Sequence, residues 1–340
     1  MTEKRDAINV EAPVGLWMMI RRTTRLIGKA RQHELIKCGI SDDASAVLFT
    51  VWTLGRQAIP AMVSRYLFLE RHSVSQLLTR MEKDGLVRRV KDLERKNYVR
   101  VELTKKGLDA FQRSNKQRST RPIMTVLTDK EQETMWSVLA RLRDKAIKRL
   151  GIKDPLLFPP SERQDLSVSA SEIFGGETMS VDAPVGLWML LRRTSHLMAK
   201  ARQRELAKYD ISVDASAAIF TITLLGRQAI PAMISRNLFL ERHSVSQLLT
   251  RMEKDGLVRR VKDLERKNYV RVELTDKGMD AYRKASKNRS TKQIISILGG
   301  DEQQQMWVSL AKLRDRAVKR LDIRKPVLFP PSDYHLLTEE

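Results

Sequence analysis

The chain contains two copies of one sequence unit, and this repeat constrains its fold more than any other feature. Residues 10–161 align without a gap with residues 181–332, at a constant offset of 171 positions. Solenoid and propeller repeats are about 20 to 50 residues long, so a period of this length indicates a duplicated domain instead. We therefore predict one domain over residues 10–161 and a second over residues 181–332, joined by a polar linker over residues 162–180.

The two copies have diverged unevenly. Residues 67–104 are identical to residues 238–275, without one difference over 38 positions. Outside this block the copies differ, so that Cys38, for example, stands opposite Tyr209. Either a recent duplication left the block unchanged by chance, or both blocks must recognise the same target. We favour the second explanation.

Helix signals dominate both ends of each copy. Pro13 suits a first helical turn, and an apolar stripe follows it that we expect to end near Gly39. A second helix is predicted from about residue 43 to residue 54. Further along, Thr128 is placed to open another helix with a capping box, which the second copy loses because Gly299 replaces the threonine.

The identical block has the pattern of a winged helix-turn-helix motif. Ser73 and Gln76 have the spacing of a capping box and predict a helix over residues 73–84. Residues 86–91 and 98–103 predict two strands, and the charged stretch between them predicts an exposed hairpin tip. The expected fold is mainly α with small β-hairpins (α+β), built from tandem winged helix-turn-helix domains.

The charge balance indicates a polyanionic partner. The chain contains 63 Lys and Arg against 41 Asp and Glu, a net charge of +22, and residues 80–106 alone carry ten basic and five acidic residues. Such an excess is typical of nucleic-acid binding, with an anionic membrane surface as the rival. The longest apolar run near the N-terminus, residues 14–20, is too short for a membrane span or a signal peptide. We therefore expect a cytoplasmic protein that binds double-stranded DNA and no membrane.

Two short motifs add a resemblance to a known family. The sequence G-L-V at residues 85–87, the charged hairpin, and L-T-K-K-G at residues 103–107 resemble the signature of MarR-type winged-helix regulators, and the motif recurs at residues 256–258 and 274–278. The resemblance covers nearly all of both copies. It implies a dimer whose first and last helices form the interface and whose winged motifs read two half-sites. Because both copies share one chain, we expect an intramolecular pseudo-dimer, with a dimer of chains as the alternative.

The resemblance also implies which residues contact DNA. It places the recognition helices at residues 73–84 and 244–255, with further contacts from basic residues at the two hairpin tips. The family usually carries Asp-x-Arg at the tip, whereas this chain has R-K-N at residues 95–97, which leaves open which side chain enters the minor groove. The predicted DNA-binding residues are Ser73, Ser75, Gln76, Thr79, Arg80, Arg95, Lys96, Ser244, Ser246, Gln247, Thr250, Arg251, Arg266 and Lys267.

The sequence does not place His, Cys or nucleophilic residues at the spacings that metal sites and catalytic motifs require. The five histidines have no neighbours at metal-ligand spacing, and Cys38 has no counterpart in the second copy. The sequence contains no nucleophile elbow, P-loop or HExxH motif. We therefore predict no metal, no cofactor and no enzymatic activity. An architectural, largely sequence-independent DNA-binding protein and a pure interaction scaffold remain the alternatives.

The resemblance finally implies a small-molecule effector. In MarR-type regulators such a molecule can bind between the dimerisation helices and the winged core. Trp52 stands opposite Thr223 in the region that would form this pocket, so we expect the two pockets of one chain to be unequal. The predicted function is a sequence-specific transcription repressor that reads a pseudo-palindromic operator and is released by an effector.

Overall fold

A computed structural model of the chain describes most of both copies. For residues 166–169 and 178–180 it describes the backbone alone. The described residues are 11–91, 99–116, 119–163, 166–169, 178–262, 270–287, 289–324, 326 and 330–332.

Within its described residues, copy 1 (residues 10–161) forms seven helices and one antiparallel hairpin. A single 3-10 turn, Gly55–Gln57, separates the second helix from the third. In chain order the elements are α1 (Ala12–Lys37), α2 (Asp42–Leu54), α3 (Pro60–Leu67), α4 (Arg71–Lys83), β1 (Val87–Lys91), β2 (Val99–Leu103), α5 (Lys105–Lys116), α6 (Thr120–Met124) and α7 (Asp129–Leu150).

Copy 2 (residues 181–332) repeats this order, preceded by a short hairpin in the linker. The linker strands β3 and β4 pair antiparallel, which the sequence did not predict. The elements are β3 (Leu166–Ser169), β4 (Thr178–Val181), α8 (Ala183–Leu206), α9 (Val213–Leu225), α10 (Pro231–Leu238), α11 (Arg242–Lys254), β5 (Val258–Lys262), β6 (Val270–Leu274), α12 (Asp276–Lys287), α13 (Ser290–Ile295) and α14 (Gly300–Arg320).

The last helix of copy 1 begins with the predicted capping box. The Thr128 hydroxyl accepts the N–H of Glu131 at 3.3 Å, and the Glu131 carboxylate accepts the N–H of Thr128 at 2.9 Å. In copy 2 the Glu302 carboxylate still accepts the N–H of Gly299 at 3.0 Å. Glycine has no side chain with which to return the bond, so half of the box is lost and its carboxylate half remains.

The capping box predicted at Ser73 is wrong. Helix α4 begins two residues earlier, at Arg71, and its N-cap is Glu70, whose side chain makes no capping bond. The N–H of Val74 already donates to the Glu70 carbonyl at 3.1 Å, so Ser73 lies inside the first turn. A capping serine must have extended backbone angles, which a residue within the helix cannot have.

Each wing hairpin is tied to the winged core by backbone contacts. Strand β1 pairs with β2 from Val87 opposite Leu103 to Lys91 opposite Val99. At the base of the hairpin, a Cβ on Gly107 would lie 1.9 Å from the Leu86 carbonyl oxygen. The glycine of the L-T-x-x-G motif is therefore required by close backbone approach. In copy 2, a Cβ on Gly278 would likewise lie 2.0 Å from the Leu257 carbonyl oxygen.

The chain folds into two compact units that each combine segments of both copies. The unit that we call the copy-1 unit contains Leu26–Thr194, and the copy-2 unit contains Met1–Arg25 and Ser195–Glu340. The first turns of α1 thus belong to the copy-2 unit, and the first turns of α8 belong to the copy-1 unit. The division of the repeat into residues 10–161 and 181–332 stays a prediction about domains, since the compact units are bounded differently.

The hydrophobic cores show this exchange of segments. In the copy-1 unit, Val181 and Val185 belong to the same buried cluster as Phe49 and Leu78 of copy 1. In the copy-2 unit, Val14 of α1 packs against Phe220 of α9. Burial of apolar side chains is the main stabilising contribution, so each unit depends on a segment from the opposite copy.

A buried arginine secures the segment that follows α7. Arg143 is fully buried and donates to the Pro159 carbonyl at 2.6 Å and to the Ser161 hydroxyl at 2.8 Å. Trp136 donates its indole N–H to the Pro160 carbonyl at 3.1 Å. These bonds satisfy polar groups that would be costly to bury alone.

The described residues also show which helices could span a membrane and which side chains could form a metal site. No single helix there is both long and apolar enough to cross a membrane, and one pair bent by 80°, Ala183–Tyr209 with Val213–Gln228, meets the length and composition criteria only when taken together. The same residues contain no group of three or more His, Cys, Asp or Glu side chains that could hold a metal ion.

Candidate nucleic-acid interface

Helix α4 presents a polar stripe to solvent and an apolar face to the winged core. Of the predicted DNA-binding residues on it, four are exposed and Ser73 is partly exposed; the exposed ones are Ser75, Gln76, Thr79 and Arg80. On the other side four apolar side chains are buried, namely Val74, Leu77, Leu78 and Met81. The helix is therefore anchored from one side, and its polar stripe is accessible to a DNA groove.

Helix α11 presents the same stripe in copy 2. Ser244 is partly exposed, and the exposed residues are Ser246, Gln247, Thr250 and Arg251. The buried residues are Val245, Leu248, Leu249 and Met252. The two stripes thus agree in both sequence and exposure.

A tight turn joins α3 to α4. Phe68 adopts a left-handed backbone conformation with φ of 56°, and the N–H of Leu69 donates to the Ser64 carbonyl at 3.1 Å. Residues other than glycine rarely adopt this backbone conformation. Phe68 is buried, so the packing of its side chain offsets the cost. Phe239 forms the same turn between α10 and α11. The pair of helices in each copy is a helix-turn-helix.

One residue on the edge of the polar stripe was missed by the sequence analysis. Arg89 of β1 donates from Nη1 to Glu82 Oε2 at 2.7 Å, and from Nη2 to Thr79 Oγ1 at 3.1 Å and to the Ser75 carbonyl at 3.2 Å. Its backbone N–H also donates to Glu82 Oε1 at 2.9 Å. Strand alternation, which turns Arg88 and Arg89 to opposite sides of β1, was the signal that could have identified it.

The other face of the hairpin carries a second ionic group. Glu102 Oε2 accepts from Arg88 Nη2 at 2.9 Å, and Glu102 Oε1 accepts from Arg100 Nη2 at 2.6 Å. Burial favours the neutral acid, but the hydrogen bonds from Arg100 and Arg88 outweigh it and hold the pKa of Glu102 below its ordinary value. The carboxylate thus orients two arginines along the wing. The predicted wing-tip residues Arg95, Lys96, Arg266 and Lys267 lie outside the described residues.

A cleft in the copy-2 unit lies between the first turns of α1 and the helices α9 and α12. Its described lining includes the apolar side chains of Trp17, Met18 and Phe220. It also includes five arginines, Arg21, Arg22, Arg25, Arg202 and Arg289. Apolar walls with a few convergent charged groups are typical of small-molecule sites, and the sign of these charges suits an anion.

Some of these arginines hold the end of α10, the helix that precedes α11. Arg22 donates to the Asn237 side-chain oxygen, and Arg25 Nη1 donates to the Leu238 carbonyl at 2.5 Å. Asp214 Oδ1 accepts from Arg25 Nη2 at 3.1 Å. Burial, with the nearby charges of Arg25 and then Arg314, lowers the pKa of Arg22 to about 9, so it remains a cation at neutral pH.

The corresponding region of the copy-1 unit is lined by aromatic rings. Arg193, the counterpart of Arg22, lies 4.3 Å from the centroid of the Tyr66 ring and donates to the Phe158 carbonyl. The Phe158 ring lies 5.9 Å from Tyr66 and 5.3 Å from Phe49. Burial raises the pKa of Tyr66 to about 12 although Arg193 opposes the shift, so this hydroxyl stays neutral. Among the described residues, the two regions therefore differ at Tyr66, which lies under Arg193, and at its counterpart Asn237, which accepts from Arg22.

Comparisons with known proteins identify the domain that contains α4. Residues 41–107 match the family model described as a winged helix DNA-binding domain. This range runs from the cap of α2 to Gly107 and includes α4, β1 and β2. The chain therefore contains a winged helix DNA-binding domain. No curated protein sequence matches the chain.

Solved structures of transcription regulators are similar to part of the chain. The organohalide sensing RdhR transcriptional regulator, in its 2,4-dichlorophenol bound form, is 32% identical and aligns over 42% of this chain and 86% of that chain, with a TM-score of 0.40. MepR, a transcription regulator of the Staphylococcus aureus multidrug efflux pump MepA, is 22% identical over 37% of this chain and 94% of that chain, with a TM-score of 0.30. A MepR mutant bound to an oligodeoxyribonucleotide has the same identity and coverage, with a TM-score of 0.27.

Proposed function

We propose that this chain, which contains a winged helix DNA-binding domain at residues 41–107, is a transcription regulator that binds double-stranded DNA sequence-specifically through α4 and α11. One observation carries the proposal. Both helices present the same exposed polar side chains, while their opposite faces are buried in a winged core. A face kept polar and identical in two diverging copies is what recognition of one DNA sequence requires.

The chemistry of the stripe suits the major groove. Gln76 and Gln247 can each bond an adenine edge with two hydrogen bonds, and Arg80 and Arg251 can reach a guanine edge or a phosphate. Each helix is 13 residues long, a length that fits within the groove. The net charge of +22 supplies the attraction to phosphates that any such complex needs.

We further propose that the two winged motifs of one chain act as a pseudo-dimer on one operator. Identical recognition helices bind identical half-sites, and a two-fold relation between them would make the operator a pseudo-palindrome. The composition of the compact units supports this, because each unit includes the first turns of the opposite copy's first helix. The resemblance to MarR-type regulators suggests that the bound chain represses transcription.

The arginine-lined cleft supports a small-molecule effector as part of this function. An apolar anion that entered the cleft would compete for Arg22 and Arg25 with the Asn237 oxygen and the Leu238 carbonyl. Because these two residues end α10, and α10 leads into the recognition helix α11, the competition would shift α11. We therefore propose that an aromatic carboxylate or phenolate weakens operator binding through the copy-2 unit.

Operator selection followed by titration tests the main proposal. Double-stranded DNA that the chain retains from a random pool, and a scrambled version of it, are titrated at several salt concentrations. We expect tighter binding to the selected sequence at every salt concentration, and an affinity that falls steeply with salt. Equal affinity for both would instead indicate an architectural DNA-binding protein, and no binding would contradict both.

A matched set of variants links that binding to the two helices. Gln76→Ala and Gln247→Ala should each weaken operator binding by about 1–3 kcal/mol if each glutamine makes a good base contact. Gln305→Ala is the control, because it makes the same change at an exposed position of α14. A loss at Gln76 with none at Gln247 would mean that α11 does not read the operator.

A further inference from the structure

Arg89 and Arg260 each link a wing strand to a recognition helix. Each belongs to the first strand of a wing, yet its guanidinium lies against the recognition helix. Arg89 reaches Thr79 Oγ1 at 3.1 Å and the Ser75 carbonyl at 3.2 Å, and Arg260 reaches Thr250 Oγ1 at 3.0 Å. Ser75, Thr79 and Thr250 are exposed residues of the polar stripes.

A carboxylate holds each guanidinium in that position. Glu82 accepts from the backbone N–H of Arg89 at 2.9 Å and from its Nη1 at 2.7 Å. Glu253 does the same for Arg260, at 3.1 Å from the backbone and 2.5 Å from Nη1. Fixing a long side chain in advance reduces the entropy that binding would otherwise cost. About 27% of the Arg89 side chain and 30% of the Arg260 side chain remain exposed, so solvent still reaches both.

The same contacts limit what the threonines can do. The Thr79 hydroxyl donates to the Ser75 carbonyl at 3.0 Å and accepts from Arg89. A hydroxyl carries one proton to donate, so the Thr79 proton is already used within the helix. Thr250 accepts from Arg260 in the same way. The guanidinium is the charged and directional group at this point of the stripe.

We propose that Arg89 and Arg260 are specificity-determining DNA contacts, supplied by the wings to the edges of the two recognition helices. Thr79 and Thr250, which the sequence analysis assigned to DNA binding, are positioning residues that hold these guanidiniums. Arginine can bond both acceptors of a guanine edge in the major groove, because its planar fork matches their spacing. In the complex, Arg89 Nη2 would exchange a bond to Thr79 or Ser75 for a bond to the base. Each half-site therefore contains a guanine recognised by the arginine of β1 or β5. The inference rests on the proposed function.

The test compares three paired variants on the selected operator. In Arg89→Ala with Arg260→Ala we expect at least about a tenfold loss of affinity and tolerance of any base at one position of each half-site. Arg89→Lys with Arg260→Lys keeps the charge and removes the fork, so we expect a base preference weaker than in the parent but stronger than in the alanine pair, since lysine also bonds guanine. Arg88→Ala with Arg259→Ala is the control, because these neighbouring arginines bond Glu102 and Glu273 on the other face of the hairpin.

The outcomes separate this inference from the proposed function. Unchanged base preference in the Arg89 and Arg260 alanine pair, in a parent chain that does prefer its operator, would overturn the inference. A parent chain that does not distinguish the operator from a scrambled duplex would overturn the proposed function itself. Thermal unfolding of each variant, compared with the parent, identifies any loss of binding that comes from misfolding. For a variant whose unfolding temperature is lower than that of the parent, base preference is measured by titration well below that temperature, where the variant is folded.

Discussion

Arg22 donates a hydrogen bond to the side-chain oxygen of Asn237, a residue 215 positions further along the chain. The contact joins α1 to α10, the helix that precedes the proposed recognition helix α11. At the equivalent place in the copy-1 unit, Arg193 lies over the ring of Tyr66 at 4.3 Å. A hydrogen bond to an amide in copy 2 thus stands where copy 1 has a cation–π contact, while the helices that follow, α4 and α11, are identical in sequence.

Asn237→Ala should destabilise the copy-2 unit. The asparagine is fully buried and accepts from a cationic donor, and hydrogen bonds to charged groups contribute about 1.5–3 kcal/mol. We expect the free energy of unfolding to fall by about that amount, as measured by urea denaturation. Tyr66→Phe is the control at the equivalent position, because it keeps the ring that Arg193 contacts. An Asn237→Ala variant as stable as the parent would show that the bond contributes nothing.

Gly107→Ala should disrupt the base of the copy-1 wing. Its Cβ would meet the Leu86 carbonyl oxygen at 1.9 Å, so the backbone must shift, and overpacking of this kind costs about 1–3 kcal/mol or more. We expect lower thermal stability and weaker operator binding. Gly300→Ala provides the contrast, because nothing lies within 4 Å of its Cβ position and alanine favours a helix. Similar effects of the two substitutions would contradict the steric argument.

Asp214→Asn should remove part of the dependence of stability on acidic pH. Burial alone would raise the pKa of Asp214, but Arg21 and Arg25 outweigh it and hold that pKa below its ordinary value of 3.8. A carboxyl whose pKa is lower in the folded state stabilises that state above pH 3.8, and the contribution disappears as pH falls through the folded pKa. The parent should therefore be more stable than the variant near neutrality, and the two should converge in acid.

Denaturation midpoints between pH 7 and pH 2 measure this difference. Because 47% of the Asp214 side chain is exposed, solvent screens the ion pair and the effect should be small. Asp109→Asn serves as the control, since Asp109 is exposed on α5 and makes no ion pair with the described residues. A constant gap between parent and Asp214→Asn at every pH would mean that the ion pair does not cause the difference.

The winged motif could be predicted from the sequence because its signals are local. Strand alternation, helical periodicity and the G-L-V and L-T-x-x-G motifs each act within a few residues, and they located α4 to within two residues of its start. The error at Ser73 has the same origin. The capping patterns at Ser73 and Thr128 are alike in sequence, but Thr128 itself has extended backbone angles and begins its helix, whereas at Ser73 the helix has already begun at Arg71.

Contacts between distant segments could not be predicted in this way. Nothing in the sequence near Arg22 indicates that Asn237 accepts its hydrogen bond, or that the first turns of α1 belong to the unit of the other copy. Strand alternation separates Arg89 from Arg88, but it does not show what Arg89 contacts. Its partner Glu82 lies on the preceding helix, and the angle between helix and strand, which brings the two together, is set by tertiary packing.

An aromatic carboxylate or phenolate that binds the chain should show one site, or two sites of unlike affinity. Beside Arg22 the copy-2 unit has Asn237, whereas beside Arg193 the copy-1 unit has the larger, aromatic Tyr66. Isothermal titration calorimetry with a panel of such anions gives the number of sites. Arg25→Gln should weaken the tighter site, because it removes a cation from the cleft. Two identical sites per chain would contradict this prediction.

One chain should occupy one inverted repeat. The linker keeps the two winged motifs at a high effective concentration for each other, so their pairing within a chain should outcompete pairing between chains. The half-sites of such an operator should lie about one helical turn, or 34–36 Å, apart. Native mass measurement of the complex on a short palindromic duplex gives the stoichiometry, and we expect one chain per duplex at protein concentrations near the dissociation constant. Lengthening the spacer by half a helical turn is the control, because it moves the second half-site to the opposite face of the DNA and should weaken binding sharply. Two chains on the short duplex, or affinity that does not depend on the spacer, would show that the motifs of one chain do not read the operator together.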